Sequence, residues 1–512
     1  MPQLTVCIET TCSNCTVNNP AVYHRSAHWK ISWLFVGIAI LCLPFADLTI
    51  NTFDPMSELG RLFSGLLQPS IAAIEKPFEA LLQTIAFALL GVSAGSVCGF
   101  LLALIFRFRL VRVSCALIRA VHELFWALIF LQIFGLHPLT GLLALGLPYA
   151  ATFAKVYAEI LEVGERRAYD TIRHSAGISS AFFYARIPDL WQHFVTYTSY
   201  RLECGLRSSA VLGFVGLPTL GYYLSTAFLE GQYAEVWALL IMFYLLIAGL
   251  RYWLHPKLLA LYLLASPFII ANDSSIAFDN IARFFTSDIV PAPLRNGEGS
   301  AALWHWFSEL VMQQAIPGII NTLVLTQLAL VLTGVIALLW FPLISSLFFG
   351  RIGRSSGHFF LVVMRSTPEY ILAFILLTLW GPSMLPAVVA LALHNGAIIG
   401  HLIGRYSEAL PLRIDASRGI NRYVYEVVPR VYSQFLAYLF YRWEIILRET
   451  AILGILGIAT LGFYIDSAIQ DIRFDRAMLL IAITALLNVA VDSLSRVIRS
   501  RFRLSMSPQQ IR

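Results

Sequence analysis

The sequence has little charge. Only 13% of its 512 residues are Asp, Glu, Lys or Arg, while 58% are hydrophobic. Soluble domains carry about 25% charged residues, because a surface facing water needs polar cover. A soluble fold is therefore excluded, and the mean hydropathy of +0.72 points to an integral membrane protein. The apolar runs are continuous and about 20 residues long, not the ~10-residue alternating segments of a barrel, so the class is all-helical. No G-x-x-x-x-G-K-[ST] occurs, which excludes ATP binding through a phosphate-cradling loop. HExxH, paired-cysteine zinc motifs and G-x-S-x-G are missing too. No catalytic residue, no metal ligand and no cofactor of the chain's own is assigned. A basic stripe interleaved with aromatics is also lacking, which excludes nucleic acid as a partner. Cysteine is scarce at 7 residues. Cys42, Cys98, Cys115 and Cys204 lie in apolar segments, where a thiol behaves as a small hydrophobe. Cys7, Cys12 and Cys15 stand in a polar N-terminal tail, with His24 and His28 beyond. They read either as a zinc or redox cluster of non-standard spacing, or as reduced thiols of a cytoplasmic tail.

The charge that is present is unevenly placed. The net +6 collects in short stretches such as RFRLVR (107–112), GERR (164–167), GRIGR (350–354) and SRVIRSRFRLS (495–505). Apolar stretches fall near 31–45, 81–106, 111–134, 138–162, 191–216 and 234–254, then near 257–271, 316–348, 357–380, 384–404, 433–458 and 477–494, about twelve spans in all. With the N-terminus inside, every arginine-rich loop falls on one side, as the excess of Lys and Arg in cytoplasmic loops requires. Both termini are then cytoplasmic. The tail lacks a cleavage-site pattern and reads as uncleaved. The divisions are a tail at 1–30, a first half at 31–255, a second half at 256–504 and a C-terminal tail at 505–512.

The two halves repeat one another. RLECGLRSSAVLGFVG (201–216) returns as RWEIILRETAILGILG (442–457), with Arg201, Glu203, Arg207, Gly213, Gly216 and Gly221 matching Arg442, Glu444, Arg448, Gly454, Gly457 and Gly462. Pro188 matches Pro429, and upstream Arg119, Glu123 and Gly135 match Arg365, Glu369 and Gly381. Six spans per half make the repeats parallel, related by an axis along the membrane normal. The expected fold is thus about twelve transmembrane helices in two pseudo-symmetric six-helix halves.

Three features carry candidate function. Glu203 and Arg207, like Glu444 and Arg448, are four residues apart and share a helix face. A charge at the bilayer centre costs about 2.5–3.5 kcal/mol and usually faces a bundle interior or a water-filled path. Arg207 and Arg448 therefore either line a translocation path for an anion, or form intrahelical pairs that fix packing. Gly213, Gly216 and Gly221, and Gly454, Gly457 and Gly462, read as a gate hinge or as a plain helix terminus with its turn. Finally, GERRAYDTIRHSAGISSAFFYARIP (164–188) and LPLRIDASRGINRYVYEVVP (410–429) are basic, amphipathic and closed by proline. Each reads as a short helix, bent at Gly177 or Gly419, that lies on lipid headgroups or docks into a partner.

These residues carry a resemblance. The permease subunits of bacterial ABC importers have a cytoplasmic loop of the form E-A-A-x3-G-x9-I-x-L-P that docks on the ATPase. The ends ARIP (185–188) and EVVP (426–429) resemble its I-x-L-P end, while the Glu-Ala opening is lost in both halves. The phosphonate branch of these permeases is most similar. TSYRLECGLRSSAVLGFVG (198–216) resembles its Tyr-Arg-Phe-Glu and Arg-Ser-Ala-x-Val-Leu-Gly-x-Val-Gly stretch, and LFYRWEIILRETAILGILG (439–457) is a looser copy. RAVHELFWALIF (119–130) and RSTPEYILAFIL (365–376) are similar to its R-x-x-P-E-x-x-x-A stretch. The resemblance covers nearly the whole chain, once per half, so that this chain looks like a tandem fusion of what is usually a dimer.

The resemblance implies a type I ABC-importer permease fold and import of a phosphonate-like oxyanion. ATP hydrolysis then falls to a separate cytoplasmic ABC ATPase dimer, and delivery to a periplasmic or lipid-anchored solute-binding protein. It makes Arg207, Arg448, Glu203 and Glu444 the candidates for the translocation path, and Gly177, Arg186, Pro188, Gly419, Pro429 and Arg430 those for ATPase coupling. A gradient-driven secondary transporter, or an ABC permease for phosphite or phosphate, is the alternative. A nontransporting scaffold has no use for charges repeated on both sides of an axis.

Overall fold

The structure is a computed structural model that describes residues 20–51, 54–72, 74–164, 167–255, 257–270, 276, 278–410, 412, 418–502 and 504, with side chains from His28 onward. Cys7, Cys12, Cys15, most of the loop at 411–417 and the tail at 505–512 lie outside the described residues. Among the described residues the regular structure is all helical.

Eight helices follow one another in the first half: α1 (Pro20–Cys42), α2 (Pro77–Leu104), α3 (Arg109–Ala120), α4 (Glu123–Phe134), α5 (Pro138–Val163), α6 (Ile187–Val211), α7 (Leu220–Leu229) and α8 (Tyr233–Ala248). The second half repeats the order: α9 (Leu259–Ile270), α10 (Ile316–Trp340), α11 (Arg351–Ser366), α12 (Glu369–Trp380), α13 (Met384–Glu408), α14 (Val428–Ile455), α15 (Leu461–Gln470) and α16 (Phe474–Arg501). Short helices, Pro55–Leu67 and Ser300–Leu310, interrupt the segment before the second helix of each half, and a further short helix, Arg167–Ala176, lies between α5 and α6. The first helix starts at Pro20, well ahead of the expected start near residue 31.

Small residues set the closest packing. Gly91, Gly95 and Gly99 make a stripe on α2 at four-residue spacing. An added Cβ on Gly91 or Gly95 would fall 2.8 Å from the Cβ of Leu145 or Tyr149 on α5. The second half uses the partner helix instead. Gly396, Gly400 and Gly404 stripe α13, and a Cβ on Gly396 would lie 2.6 Å from Ile336 on α10. Such stripes let backbones approach closely where lipid supplies no hydrophobic drive.

The first helix of each half packs on the other half: α1 on α10 and α14, and α9 on α2. The Gln327 amide of α10 donates to the Phe35 carbonyl of α1 at 2.8 Å, and Trp29 stacks on Tyr432 at 4.7 Å. The chain after α1 also crosses over. Asn51 N–H donates to the Trp380 carbonyl, and Met384 N–H to the Asp47 carbonyl, each at 2.8 Å.

The expectation is about twelve spans. Among the described residues six helical stretches are long and apolar enough to cross a membrane, and up to 9 are if each bent pair is one span. The apolar runs at 111–134 and 357–380 are not single rods. They break into α3–α4 and α11–α12, bent by 93° and 92°. Val121 and Thr367 are extended at the breaks. Pro368 enforces the second one, since proline drives the residue before it out of helical geometry. In the first, the His122 side chain accepts the Leu124 N–H at 3.2 Å and so starts a new helix. The stretch at 428–455 is not among the apolar spans because it carries Arg430, Arg442, Glu444, Arg448 and Glu449.

Candidate functional site

The helix breaks create the site. A helix that stops leaves its last carbonyls without intrahelical donors, at the negative end of its dipole. The Arg119 carbonyl ends α3, and the Arg365 carbonyl ends α11. Each is capped from the opposite half. Arg207 on α6 donates through Nη1 to the Arg365 carbonyl at 3.1 Å, and Arg448 on α14 donates to the Arg119 carbonyl at 3.1 Å. The neighbouring carbonyls are covered as well. Trp126 Nε1 donates to Ile118 at 3.2 Å and Asn488 to Ala120 at 2.7 Å, while His394 Nδ1 lies 2.8 Å from the Thr367 oxygen.

Arg119, Arg207, His394 and Arg448 border a cavity of about 950 Å³ between the halves. Arg119, Lys155, Arg201, Arg207, Arg442, Arg448, Arg496 and Arg499 line it, together with Glu123, Glu159, Glu369, Glu444, Glu449 and Asp492. A second cavity of about 290 Å³ adjoins it beside α3 and α16, and shares Arg119, Lys155, Glu159, Glu444, Asp492 and Arg496 with it. A wall so rich in guanidinium groups offers a crossing anion many donors in fork geometry. Glu123 and Glu369 are the first residues of α4 and α12, where a carboxylate suits the helix dipole. Ser208 donates to Glu123 at 2.8 Å, and Asn395 to Glu449 at 2.9 Å.

The expected intrahelical pairs do not form. Among the described residues Arg207 is not ion-paired with Glu203, nor Arg448 with Glu444, because both guanidiniums turn away to the carbonyls of the other half. Glu444 lines the cavity and Glu203 does not. Arg201, Arg442, Glu123, Glu369, His394 and Glu449 line it without having been singled out as site residues. Four of these six belong to repeat matches visible in the sequence. His394 and Glu449 break the repeat, since Pro148 and Ser208 hold the corresponding places in the first half.

The glycines sit in two equivalent tight turns. Gly213 packs on the backbone of Gly221 and Tyr222, and Gly221 on the Ala210 carbonyl; Gly454 and Gly462 repeat this with Phe463 and Ala451. Gly216 and Gly457 take φ values of +87° and +88°. The helix that follows is capped from a distance. Thr84 accepts the Leu220 N–H at 2.9 Å, and Thr322 accepts the Leu461 N–H at 3.0 Å.

In the two basic loops, Gly177 and Gly419 have φ of +82° and +63° and precede wide helical turns at Phe182–Arg186 and Arg422–Val427. Pro188 and Pro429 are the second residues of α6 and α14. Arg186 points inward and is only 5% exposed, donating to the carbonyls of Leu161 and Gly164 at the end of α5. Arg430 is ion-paired with Glu426 at 2.6 Å. The outward faces belong to apolar residues instead. Tyr184 is 85% exposed beside Phe183, and Tyr425 is 75% exposed beside Val424.

Membrane helices in a repeated order, closing on a charged cavity, are the anatomy of a transport permease. Residues 338–504 match the family of binding-protein-dependent transport system inner membrane components. The chain is a permease component of a binding-protein-dependent transport system of the inner membrane. It is 25% identical to the phosphate-import permease protein PhnE of Mycolicibacterium smegmatis, over 75% of this chain and 76% of that protein. It is 32% identical to the putative phosphite transport system permease protein HtxE of Stutzerimonas stutzeri, over 28% of this chain and 55% of that one. The phosphite transport system permease protein PtxC of the same organism is 26% identical over 40% of this chain and 79% of its own length. No solved structure matches the chain.

Proposed function

We propose that the chain imports a small phosphorus oxyanion of the phosphonate, phosphite or phosphate type, through the cavity between its halves. The observation that carries this reading is the pair of arginines, Arg207 and Arg448, lining one cavity and making equivalent bonds across the seam. The named relatives handle phosphate and phosphite, whose flat oxygen faces guanidinium groups match in pairs. Counting the bent pairs α3–α4, α6–α7 and α11–α12 as one crossing each, and α14–α15 likewise by its match to α6–α7, gives six for α1–α8 and six for α9–α16, with both termini cytoplasmic.

An ABC ATPase dimer binds the cytoplasmic ends of the two halves and drives alternating access; a solute-binding protein delivers the oxyanion outside. The coupling surfaces are the loops after α5 and α13. Their glycines set the bend, Arg186 and Arg430 brace the loop internally, and Tyr184 and Tyr425 offer the exposed aromatic contacts that suit interfaces. The paired glycine turns after α6 and α14 hold the external end of the path.

The test is growth on a phosphonate or phosphite as sole phosphorus source, in a strain lacking its own permease and supplied with a cognate ATPase and binding protein. Wild type restores growth, and Arg207→Ala with Arg448→Ala does not although it reaches the membrane. Rescue by both overturns the role of the arginines; rescue by neither overturns the substrate class.

A further inference from the structure

We propose that Glu369, His394 and Glu449 form a site for one first-row divalent cation, a feature of the second half alone. One ligand atom from each residue lies within 4.8 Å of the others. They come from three helices: the first turn of α12, the middle of α13 and the last third of α14. Ligand atoms held at about 2.0–2.2 Å from one cation stand about 3.3–3.6 Å apart in a tetrahedral site, so the three side chains would draw in by up to about 1 Å on binding.

The hydrogen-bond chemistry leaves a gap that a cation fills. His394 Nδ1 is 2.8 Å from the Thr367 carbonyl, and a carbonyl only accepts, so Nδ1 carries the hydrogen. In the neutral ring the Nε2 lone pair then faces the Glu369 carboxylate at 3.8 Å, acceptor against acceptor. A metal-bound histidine almost always donates its other nitrogen to a carbonyl or carboxylate in this way. Asn395 supplies the matching brace for Glu449, donating from Nδ2 at 2.9 Å and also to the Leu391 carbonyl at 3.0 Å. With both amide bonds fixed as donors, the Asn395 Oδ1 is left buried beside the cluster, in a residue 0% exposed, with no donor. Water on a cation's remaining positions is a donor, which is what the Asn395 Oδ1 lacks.

The charge balance agrees. Among the described residues neither carboxylate is ion-paired with an arginine or lysine. Arg207 and Arg448 are committed to backbone carbonyls and, with Arg442, act on Glu449 only from further away. One imidazole and two carboxylates suit Zn²⁺, Mn²⁺ or Co²⁺ better than Ca²⁺ or Mg²⁺. The first half cannot build the same site, because Pro148 and Ser208 replace the histidine and the second glutamate. Such a cation ties α12, α13 and α14 together and adds positive charge to the cavity wall.

The experiment uses the full chain in detergent, purified without a histidine tag, with Cys7, Cys12 and Cys15 changed to serine so that the tail cannot contribute thiolates. After chelator treatment, Zn²⁺ bound per chain is counted by elemental analysis, and Co²⁺ is followed by its visible ligand-field bands. One ion per chain is expected, with affinity falling at least ten-fold in His394→Ala and Glu449→Gln, and about ten-fold in Asn395→Ala. X-ray absorption of the Zn²⁺ protein should show one imidazole and oxygen ligands, a readout that needs no variant. No stoichiometric ion, binding unchanged in His394→Ala, or a bound ion without imidazole overturns the proposal.

Discussion

Arg207 holds the backbone carbonyl of Arg365 at 3.1 Å, across the seam between the two halves of the chain. Its counterpart Arg448 holds the carbonyl of Arg119 at 3.1 Å in the opposite direction. Both carbonyls are free only because α3 and α11 stop where they do. The arginines are thus neither lone charges in a pore nor half of a local ion pair. They join each half to a helix end of the other, on the wall of the cavity. A motion that parts the halves at this level must replace both bonds, with water or with the oxygens of an anion.

Removing one clamp therefore costs stability as well as transport. A hydrogen bond to a charged group contributes about 1.5–3 kcal/mol. Arg207→Ala and Arg448→Ala should each lower the melting temperature of the detergent-solubilised protein and abolish uptake. Lysine at either place still reaches a carbonyl with one N–H but loses the fork, so Arg207→Lys should recover most of the melting temperature and little of the transport. Equal recovery of both properties would mean that the clamp acts by charge alone.

Thr84 and Thr322 reach across to cap the helices that follow the two glycine turns. Each hydroxyl is the acceptor for a buried N–H, of Leu220 or of Leu461. Thr84→Val keeps the shape and removes that acceptor. The expected loss is about 1–3 kcal/mol per site, the cost of a buried unpaired donor. Thermal unfolding of the single and double valine variants should show nearly additive losses, since the two caps share no partner.

Much of this was legible in the sequence, for reasons that mark where legibility ends. Arg207 and Arg448 stand out because their neighbours repeat in order, and both line the cavity. The helical class followed from hydropathy, which reads lipid contact directly. The right-angle breaks did not show, because 111–134 and 357–380 are apolar on both sides of the bend, and only Pro368 marks one of them. Nor did the partners of the arginines. Spacing of four residues says that Glu203 and Arg207 share a face, but not that a free carbonyl on another helix competes better for the guanidinium. His394 and Glu449 escaped notice because they differ from Pro148 and Ser208, and a search for repetition passes over what only one half has. The stripes Gly91–Gly95–Gly99 and Gly396–Gly400–Gly404 went unread, because small residues inside an apolar run do not stand out from it, and only the structure assigns them to helix contact.

Those stripes should be intolerant of size. Leucine at Gly95 drives its side chain into Tyr149 and the backbone at Gly146, and overpacking of this kind typically costs about 1–3 kcal/mol or more. Gly95→Leu and Gly404→Leu, the latter driven into Ile344 and the Phe341 carbonyl, should sharply reduce the folded, monodisperse fraction on size-exclusion chromatography. Gly37→Ala in α1, with nothing within 4 Å of the added Cβ, should leave it unchanged.

The loops after α5 and α13 divide their labour between inward and outward residues, and the two groups should separate by assay. Arg186 closes the end of α5 by donating to the carbonyls of Leu161 and Gly164, so Arg186→Ala should lower the melting temperature of the permease alone. Tyr184 and Tyr425 are exposed and have no hydrogen bond or ring contact among the described residues, so their alanine variants should melt as wild type does. Buried aromatic anchors commonly cost about 2 kcal/mol or more on truncation at an interface. Tyr184→Ala with Tyr425→Ala should therefore weaken co-purification with the ATPase subunit by more than ten-fold and uncouple ATP hydrolysis from uptake. If each tyrosine alone causes half of the loss, the two loops act equally. Loss concentrated in one variant would assign the power stroke to that half, and undiminished ATPase binding in the double variant would remove these loops from the coupling surface.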